Sequence, residues 1–168
     1  LAKIYVDFIR GTPLLVQIFI IYFALPAIIG QRIDPFVAAV AACSINSGAY
    51  VAEIFRAGIQ SIEIGQMRAG LSLGMTWGQT MRFIILPQAF KRIIPPLGNE
   101  FIVLIKETSI VGYVGMSDLT RVANQMTSKL FDVFTPLLGI AFIYFVLTKV
   151  LSILLAKLER RLRKSDNR

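Results

Sequence analysis

The sequence predicts an all-α membrane protein, a bundle of helices that crosses the bilayer several times. Of its 168 residues, 55% are apolar, and the mean hydropathy is +0.67. Only 17% are charged, whereas a soluble domain usually carries about a quarter charged residues. The charges also cluster between apolar stretches that approach the roughly 20 residues needed to cross a bilayer. A soluble domain with an unusually apolar core is therefore the weaker interpretation.

Four apolar stretches predict four spans, within one transmembrane domain that takes in residues 1–168. Each stretch is about 17 to 22 residues long, enough for a bilayer at about 1.5 Å per helical residue. Pro26 predicts a kink or an end in the first span. The predicted spans are residues 13–29, 36–55, 93–114 and 136–156.

The basic residues predict how the spans are oriented. The net charge of +8 would suit a nucleic-acid partner, but Lys and Arg lie at the ends of apolar runs, the pattern of cytoplasmic anchoring. Thirteen fall in the connections on one side, against three on the other, Arg32, Arg121 and Lys129. The N-terminus, central loop and tail are therefore predicted to be cytoplasmic, and no nucleic-acid partner is expected. The tail, residues 157–168, is expected to hold the last span against anionic headgroups.

Residue types missing from the chain narrow its chemistry. There is no histidine, the commonest general base and metal ligand, and Cys43 is the single cysteine. An intramembrane enzyme would need a nucleophile with its base, or a metal cluster, so no catalytic or metal site is predicted. The chain has no G-x-x-x-x-G-K-[ST] phosphate loop, so ATP and Mg²⁺ are expected in another chain and no cofactor in this one. A secondary transporter or channel that uses intramembrane carboxylates stays open as an alternative, although no repeat of broken helices supports it.

The loop of residues 58–92 predicts a helical hairpin. Gly74 interrupts a helical pattern, and Thr76 with Gln79 forms a T-x-x-Q capping box that should start a second helix at Trp77. Pro87 disfavours helix at the residue before it and is expected to end that second helix. Two interpretations stay open, a hairpin lying on the membrane surface or a projection that docks into a cytoplasmic partner. The apolar residues near its bend are Met67, Leu71, Leu73, Met75 and Trp77.

The loop between the last two spans predicts a short amphipathic helix. Apolar residues recur at helical spacing from Leu119 to Leu130. Ser117 and Asp118 precede them and can cap a helix. We expect this helix to lie on the outer face of the membrane.

Four motifs occur in order along the chain. FIRGTPLL lies at residues 8–15 and AYVAEIFRAGI at residues 49–59. The loop then carries R-A-G at residues 68–70, Gly74 and I-I-L-P at residues 84–87, and KETS follows at residues 106–109. Over essentially the whole chain, these motifs resemble the permease subunits of binding-protein-dependent ABC importers, specifically the polar amino-acid group. The loop signature of that family is E-A-A, a Gly four residues later and I-x-L-P after a further nine.

The resemblance implies the fold of a type I ABC importer permease and a role in amino-acid uptake. Two permease subunits, expected here to be identical, pair around a central path in a bacterial inner membrane. An ATP-binding cassette ATPase sits under each, and an extracellular substrate-binding protein delivers the amino acid. Family members carry one more span before FIRGTPLL, so this chain is expected to lack an N-terminal span. The residues that the resemblance assigns to ATPase coupling are Ala69, Gly70, Leu73, Gly74, Met75, Trp77, Leu86 and Pro87.

Two residues of the loop depart from the family pattern. Arg68 stands where the family has glutamate, and this reverses the charge available for an ionic contact with the ATPase. Gly70 stands where the family has its second alanine, and glycine lowers helix propensity by about 1 kcal/mol relative to alanine. The Gly bend and the apolar tip, which the resemblance makes responsible for docking, are both kept.

Polar residues inside the spans predict the substrate path, because such residues are costly in a membrane and mark functional sites. Asn46, Tyr50 and Glu53 share one face of the second span, at i, i+4 and i+7. In the third span, Glu100 and Glu107 are seven residues apart and share a face, as do Asn99 and Lys106. The predicted path residues are Asn46, Ser47, Tyr50, Glu53, Asn99, Glu100, Lys106 and Glu107.

Each of these residues has a structural alternative, and the substrate prediction depends on the choice. Glu53 can pair with Arg56 at i+3, Lys106 and Glu107 can form a buried ion pair at the subunit contact, and Asn46, like the serine after it, can bond helix to helix. An acid-rich path favours a basic amino acid such as arginine, lysine or histidine. If Lys106 instead neutralises Glu107 permanently, the path accepts a neutral polar amino acid such as glutamine.

Overall fold

The computed structural model describes the backbone of residues 1–164 and the side chains of residues 1–160. Every regular element in that part of the chain is helical, which confirms the all-α prediction. Of the predicted headgroup anchor, residues 161–168 lie outside the described side chains. The elements are α1 (Ala2–Arg10), α2 (Leu14–Phe19), a π-helical turn (Ile20–Ala24), α3 (Leu25–Ile29), α4 (Pro35–Gln60), α5 (Ile64–Ser72), α6 (Trp77–Thr80), a second π-helical turn (Met81–Ile85), α7 (Leu86–Glu107), a 3-10 helix (Thr108–Val114), α8 (Leu119–Leu130) and α9 (Phe134–Lys164).

Each predicted span corresponds to a long helical segment, with one shift in bounds. α2, the first π-helical turn and α3 run together over the first predicted span and end at Gly30, which is left-handed. α4 and α9 extend beyond the second and fourth predicted spans at both ends. The third differs, because α7 begins at Leu86 and gives way to a 3-10 helix at Thr108.

By length and composition, two helices are suited to cross a membrane, Pro35–Gln60 and Phe134–Arg160. A third span is added if Ala2–Arg10 and Leu14–Ile29, which are bent by 106° at the break between them, are counted together. α7 has the length for a span but is not among these helices. Its charged residues are Lys91, Arg92, Glu100, Lys106 and Glu107.

α4 lies at the centre of the packing. It contacts α1, α2 and α7, while α9 packs against both α7 and α8. Two apolar clusters hold these helices together, one towards each end of α4. The buried members of the first are Leu14, Ile18, Ala42 and Val114. The buried members of the second, which joins the segment after α4 to the start of α7, are Ile62, Ile85, Ala89 and Ile93.

Residues 64–80, named the loop hairpin here, consist of α5, a tight bend and α6. Gly74 at the bend has a φ of +80°, a left-handed conformation that glycine adopts without a steric penalty. The hydroxyl oxygen of Thr76 accepts the N–H of Gln79 at 3.3 Å, and the side-chain carbonyl of Gln79 accepts the N–H of Thr76 at 2.8 Å. The predicted Gly break and the predicted capping box that starts a helix at Trp77 are both confirmed.

The prediction that Pro87 ends the second helix is wrong. The second π-helical turn joins α6 to α7, and in it the N–H of Leu86 bonds to the carbonyl of Met81. Pro87 is the second residue of α7, and the π-helical turn before it keeps the chain helical up to a residue that has no N–H to donate. The predicted loop of residues 58–92 therefore includes the end of α4 and the first turns of α7.

Gly70 lies at the contact between the two helices of the loop hairpin. A Cβ atom at this position would lie 2.5 Å from Cγ2 and 2.8 Å from Oγ1 of Thr80. Thr80 is fully buried, and its hydroxyl donates to the carbonyl of Thr76 at 3.0 Å. The glycine is therefore explained by the close approach of α5 to α6, a reason that helix propensity does not reveal.

The predicted amphipathic helix before the last span is confirmed as α8. The carboxylate of Asp118 accepts the N–H of Thr120 at 3.1 Å and that of Arg121 at 2.9 Å. These two bonds satisfy free N–H groups at the helix N-terminus. α8 packs against α9 and buries Ala123, whereas its larger apolar residues, Leu119, Val122, Met126 and Leu130, are exposed.

Candidate functional site

Asn46 lies at a buried junction of three helices. Its side chain is only 3% exposed, and its amide donates to the side-chain carbonyl of Gln17 at 3.1 Å. The amide nitrogen of Gln17 in turn reaches the carbonyl of Ile9 at 2.8 Å and the carbonyl and hydroxyl oxygens of Thr12 at 3.0 and 2.9 Å. This polar network ties α1 and α2 to α4 at the bend between the first two helices. The geometry agrees with the helix-to-helix alternative for Asn46.

Glu53 and Tyr50 lie further along α4, where α1 crosses it. Glu53 forms an ion pair with Arg56 and a second one with Arg10 at 3.8 Å. The guanidinium of Arg10 also lies over the ring of Tyr50, 5.2 Å from its centroid, a cation–π arrangement. Two cations therefore already compensate the Glu53 carboxylate, which agrees with the ion-pair alternative for this residue.

The polar residues of α7 are arranged differently. Glu100 and Glu107 are half-buried on one face, close enough for their charges to interact, whereas Asn99 and Lys106 are exposed on the neighbouring face. Within the described residues, Lys106 and Glu107 do not form an ion pair, because adjacent helical residues point about 100° apart. The alternative of a Lys106–Glu107 pair inside one subunit is therefore not what this structure contains.

Ser47 and the two carboxylates of α7 complete the predicted set. Ser47 is half-buried on α4, next to the Asn46 position. Glu107, at the end of α7, lies within electrostatic range of Cys43 on α4. The predicted path residues thus fall into two groups. Those on α4 have hydrogen-bond or ion-pair partners on α1, α2 and α4, whereas the acidic pair on α7 forms no ion pair among the described residues.

The loop hairpin exposes apolar side chains at its bend. Leu73 is 81% exposed and Trp77 is 61% exposed, on the two sides of Gly74. Met75 and Leu86 are half-buried. Of the other residues that the motifs assign to coupling, Gly70 is buried, and Ala69, Gly74 and Pro87 are exposed. The bend therefore presents an uncovered apolar tip.

The base of the loop hairpin is fastened to the long helices. The guanidinium of Arg92 on α7 donates to the carbonyl of Ser61, the residue that follows α4. A cation at this position also interacts favourably with the negative end of the α4 dipole. Beneath this contact, Ile62 and Ile93 belong to the second apolar cluster. These contacts join the segment at the base of the loop hairpin to both α4 and α7.

Sequence reasoning missed three residues of these sites, Gln17, Arg10 and Arg92. Gln17 is a polar residue inside the first predicted span, so the rule that was applied to the second and third spans would also have found it. Arg10 and Arg92 count towards the orientation of the spans, but their partners are far away in the sequence. No local pattern marks those partners.

Within the described residues, no group of three or more His, Cys, Asp or Glu side chains could hold a metal ion. The polar groups of these sites are amides, hydroxyls, carboxylates and guanidinium groups. Such groups can bind and orient a small polar molecule by hydrogen bonds and ion pairs.

Comparison with known proteins gives a consistent family. The family model for "Binding-protein-dependent transport system inner membrane component" matches residues 1–164. The chain is 45% identical over 163 residues to the glutamine transport system permease protein GlnP of Escherichia coli (strain K12), covering 96% of this chain and 74% of GlnP. It is 44% identical over 166 residues to the arginine transport system permease protein ArtQ of Bacillus subtilis (strain 168), covering 99% of this chain and 76% of ArtQ.

Two solved structures share the fold. A crystal structure of an amino acid ABC transporter with histidines matches with a TM-score of 0.89 and 52% identity, covering 95% of this chain and 74% of that one. The MetNI methionine ABC transporter, in an inward-facing conformation, matches with a TM-score of 0.78 over 95% of this chain and 73% of that one. At 18% identity the second match supports the fold alone. The resemblance carried by the motifs is confirmed, and the chain belongs to the family of binding-protein-dependent transport system inner membrane components.

Proposed function

We propose that this chain is the membrane-spanning translocation subunit of an importer that carries a polar amino acid into a bacterial cell. Family membership and the glutamine and arginine relatives support the transport role. The observation that carries the proposal is the exposed apolar tip of the loop hairpin on a base fastened to α4 and α7. A second protein that binds this tip can move α4 and α7 through the base of the loop hairpin.

The second protein is a separate ATP-binding cassette subunit, which binds ATP and Mg²⁺ and hydrolyses the nucleotide. Its groove covers Leu73 and Trp77, whose exposed apolar area favours burial by about 25 cal/mol per Å². Nucleotide-driven motion of the ATPase then moves the loop hairpin. Through the Arg92 contact and the second apolar cluster, that motion tilts α4 and α7 between inward-open and outward-open states.

The assembly sits in the bacterial inner membrane, with the loop hairpin and the C-terminus in the cytoplasm. α9, whose apolar residues are exposed along its length, faces lipid. α7 crosses the membrane beside α4, and a second, identical permease subunit covers its exposed polar face. An extracellular substrate-binding protein delivers the amino acid. The distribution of Lys and Arg supports this orientation.

The acidic pair of α7 lines the substrate path. Among the described residues neither Glu100 nor Glu107 forms an ion pair, whereas Glu53 forms two. The charge of Arg10 reaches Glu100 without pairing with it, so both carboxylates are available to an ammonium or guanidinium group of the substrate. Ser47 and Asn99 offer hydrogen bonds to its carboxylate, and Lys106 offers a charge. Asn46, Tyr50 and Glu53 contribute to the path by positioning α1 and α2 against α4. This arrangement favours a basic amino acid over a neutral one such as glutamine.

Substrate-stimulated ATP hydrolysis by the reconstituted complex tests the proposal. In wild type, basic amino acids presented with the binding protein should stimulate hydrolysis. In Glu107→Gln, this stimulation should fall by about tenfold, which corresponds to about 1.4 kcal/mol for a lost charge contact. The matched control is Glu159→Gln, the same chemical change on α9, which should leave the stimulation unchanged.

Two results would contradict parts of this proposal. Equal stimulation in wild type and Glu107→Gln would remove Glu107 from the path and favour a neutral substrate. Uptake of an amino acid by proteoliposomes that contain the chain but no ATPase subunit would overturn the ATP-driven mechanism in favour of a secondary transporter.

A further inference from the structure

One face of α5 in the loop hairpin carries an apolar stripe interrupted by a single cation. Ile64, Arg68 and Leu71 stand at i, i+4 and i+7, positions that share a face of a helix. Ile64 is 69% exposed and Leu71 is 44% exposed. Leu73 and Trp77 continue the exposed apolar surface around the bend. Arg68 is the only charged residue between residues 64 and 80.

Arg68 is exposed, and its guanidinium has no hydrogen-bond or ion-pair partner among the described residues. Only the backbone carbonyl of Arg68 is used, as the acceptor for the hydroxyl of Ser72 at 2.9 Å. Gly70, two residues further along α5, lies on the opposite side of the helix in contact with Thr80.

Docking of the apolar stripe into a partner groove also removes water from Arg68. A cation that is desolvated without a counter-charge costs far more than the apolar contacts around it return. A groove that accepts Ile64 and Leu71 must therefore contain an acidic group opposite Arg68. We propose that Arg68 selects the cognate ATPase subunit by pairing with a carboxylate inside that subunit's apolar docking groove. This inference rests on the proposed function, because it requires an ATPase that docks on the loop hairpin.

An anionic membrane surface is the other possible origin of a counter-charge. Attraction to such a surface is provided by clusters of about four to eight Lys and Arg side chains. The loop hairpin carries one cation within residues 64–80, set between apolar residues rather than among other basic ones. Charge complementarity therefore favours a discrete carboxylate in a protein groove.

The consequence of this pairing is discrimination between ATPases. Charged groups at an interface affect the choice of partner more than the total affinity, because a like charge in the wrong partner is strongly unfavourable. An ATPase whose groove is basic at this point should bind the chain poorly, even if its apolar groove fits Leu73 and Trp77 equally well.

The test measures the affinity of the purified cognate ATPase for the chain held in nanodiscs of neutral phosphatidylcholine. We expect affinity to fall by about tenfold in Arg68→Glu and about threefold in Arg68→Gln, and the wild-type affinity to decrease with salt. Arg82→Glu is the matched control. It makes the same charge change at an exposed arginine just beyond the hairpin, whose guanidinium lies over the ring of Phe83, and it should leave affinity unchanged. Lysine substitutions at the acidic residues of the ATPase groove should include one that restores the affinity of Arg68→Glu.

The outcomes separate this inference from the proposed function. Wild-type affinity in Arg68→Glu would overturn the pairing while leaving the docking intact. Equal losses in Arg68→Glu and Arg82→Glu would overturn it in favour of a long-range field. A loss that appears only when the nanodiscs contain anionic phosphatidylglycerol would assign Arg68 to the membrane surface. Failure of the wild-type chain to bind the ATPase at all would instead overturn the docking on which the proposed function depends.

Discussion

The loop hairpin and the polar face of α4, formed by Asn46, Tyr50 and Glu53, are stabilised by contacts that span very different distances along the chain. In the loop hairpin, the capping box joins Thr76 to Gln79, and the tight helix contact joins Gly70 to Thr80. On α4, Asn46 bonds to Gln17, 29 residues away, and Glu53 pairs with Arg10 on another helix. The first region is held mainly by contacts among its own residues, with Met67 packed against the second apolar cluster, whereas the second is a junction of three helices.

This difference suits the two regions to different tasks. A unit held by short-range contacts keeps its shape while it moves with a partner, and only its base must be fastened to the rest of the chain. A junction of three helices keeps those helices in one arrangement and resists movement between them. Substitutions in the hairpin should therefore affect coupling, and substitutions in the junction should affect the stability of the whole subunit.

The largest effect is expected at the junction, in Gln17→Leu. The change leaves the Asn46 amide without its partner in a buried site and removes one donor from the carbonyls of Ile9 and Thr12, although Thr12 still donates to the Ile9 carbonyl. Because a buried polar group without a partner costs about 1–3 kcal/mol, we expect the free energy of unfolding to fall by about 2–4 kcal/mol. Denaturant titration of the purified subunit in detergent measures this fall.

The control for that experiment is Gln31→Leu, the same change at an exposed position between α3 and α4, which should have little effect. A double-mutant cycle with Asn46→Ala sharpens the comparison, because the two losses should be strongly non-additive if the residues act as one network. Additive losses, or equal stability of the Gln17 and Gln31 variants, would show that the junction does not hold the three helices.

An intermediate effect is expected in the loop hairpin, in Gly70→Ala. The added Cβ would lie 2.5 Å from Thr80 Cγ2, so α5 and α6 must separate, and we expect a local cost of about 1–3 kcal/mol. Since the hairpin is the proposed docking element, substrate-stimulated ATP hydrolysis should fall while the amount of subunit in the membrane stays normal. ATPase assays and quantification of membrane-inserted protein measure the two quantities.

Gly65→Ala is the matched control on the same helix. A Cβ at residue 65 meets nothing within 4 Å, so this change should preserve hydrolysis and stabilise α5 by up to about 1 kcal/mol. Combining Gly70→Ala with Thr80→Ser removes the offending methyl group and should restore part of the activity. If Gly70→Ala behaves like Gly65→Ala, the close helix contact does not matter for coupling.

The smallest effect is expected at Asp132, before α9. Hydrogen bonds from Thr135 and from the backbone N–H of Phe134 hold the pKa of this carboxyl below its ordinary value of 3.8. A group with a lowered folded-state pKa stabilises the protein above the ordinary value, and this stabilisation is lost as the pH falls through 3.8 and below. The start of α9 should therefore loosen slightly in acid.

Thermal unfolding from neutral pH downwards measures this contribution, with Asp132→Asn as the comparison. Asparagine keeps the cap but does not titrate, so the variant should lose less stability on acidification than wild type. The same acid dependence in both proteins would assign the effect to other carboxylates. The contacts of Asp132 lie within three residues, so this experiment measures the stability contributed by a short-range cap, in contrast to the long-range junction on α4.

Some parts of the site could be predicted from sequence because their causes are local. The capping box of Thr76 and Gln79 and the bend at Gly74 depend on residues within one turn, and both were found where expected. The prediction that Pro87 ends a helix is wrong because a π-helical turn, for which the sequence has no local signal, joins α6 to α7 directly before it. The roles of Asn46 and Glu53 stayed open, since their alternatives differ only in which distant residue lies opposite.

By itself, the sequence determined the helical class, the approximate extent of the four apolar segments, the form of the loop hairpin and the family. Hydropathy, caps and glycine conformation act over a few residues, so they are legible in the chain. Only the tertiary structure decided that Gln17 satisfies Asn46, that Arg92 of α7 donates to Ser61 at the end of α4, and that Arg68 has no partner among the described residues. Those facts depend on which helix faces are buried against each other, and that choice is set by packing across the whole chain.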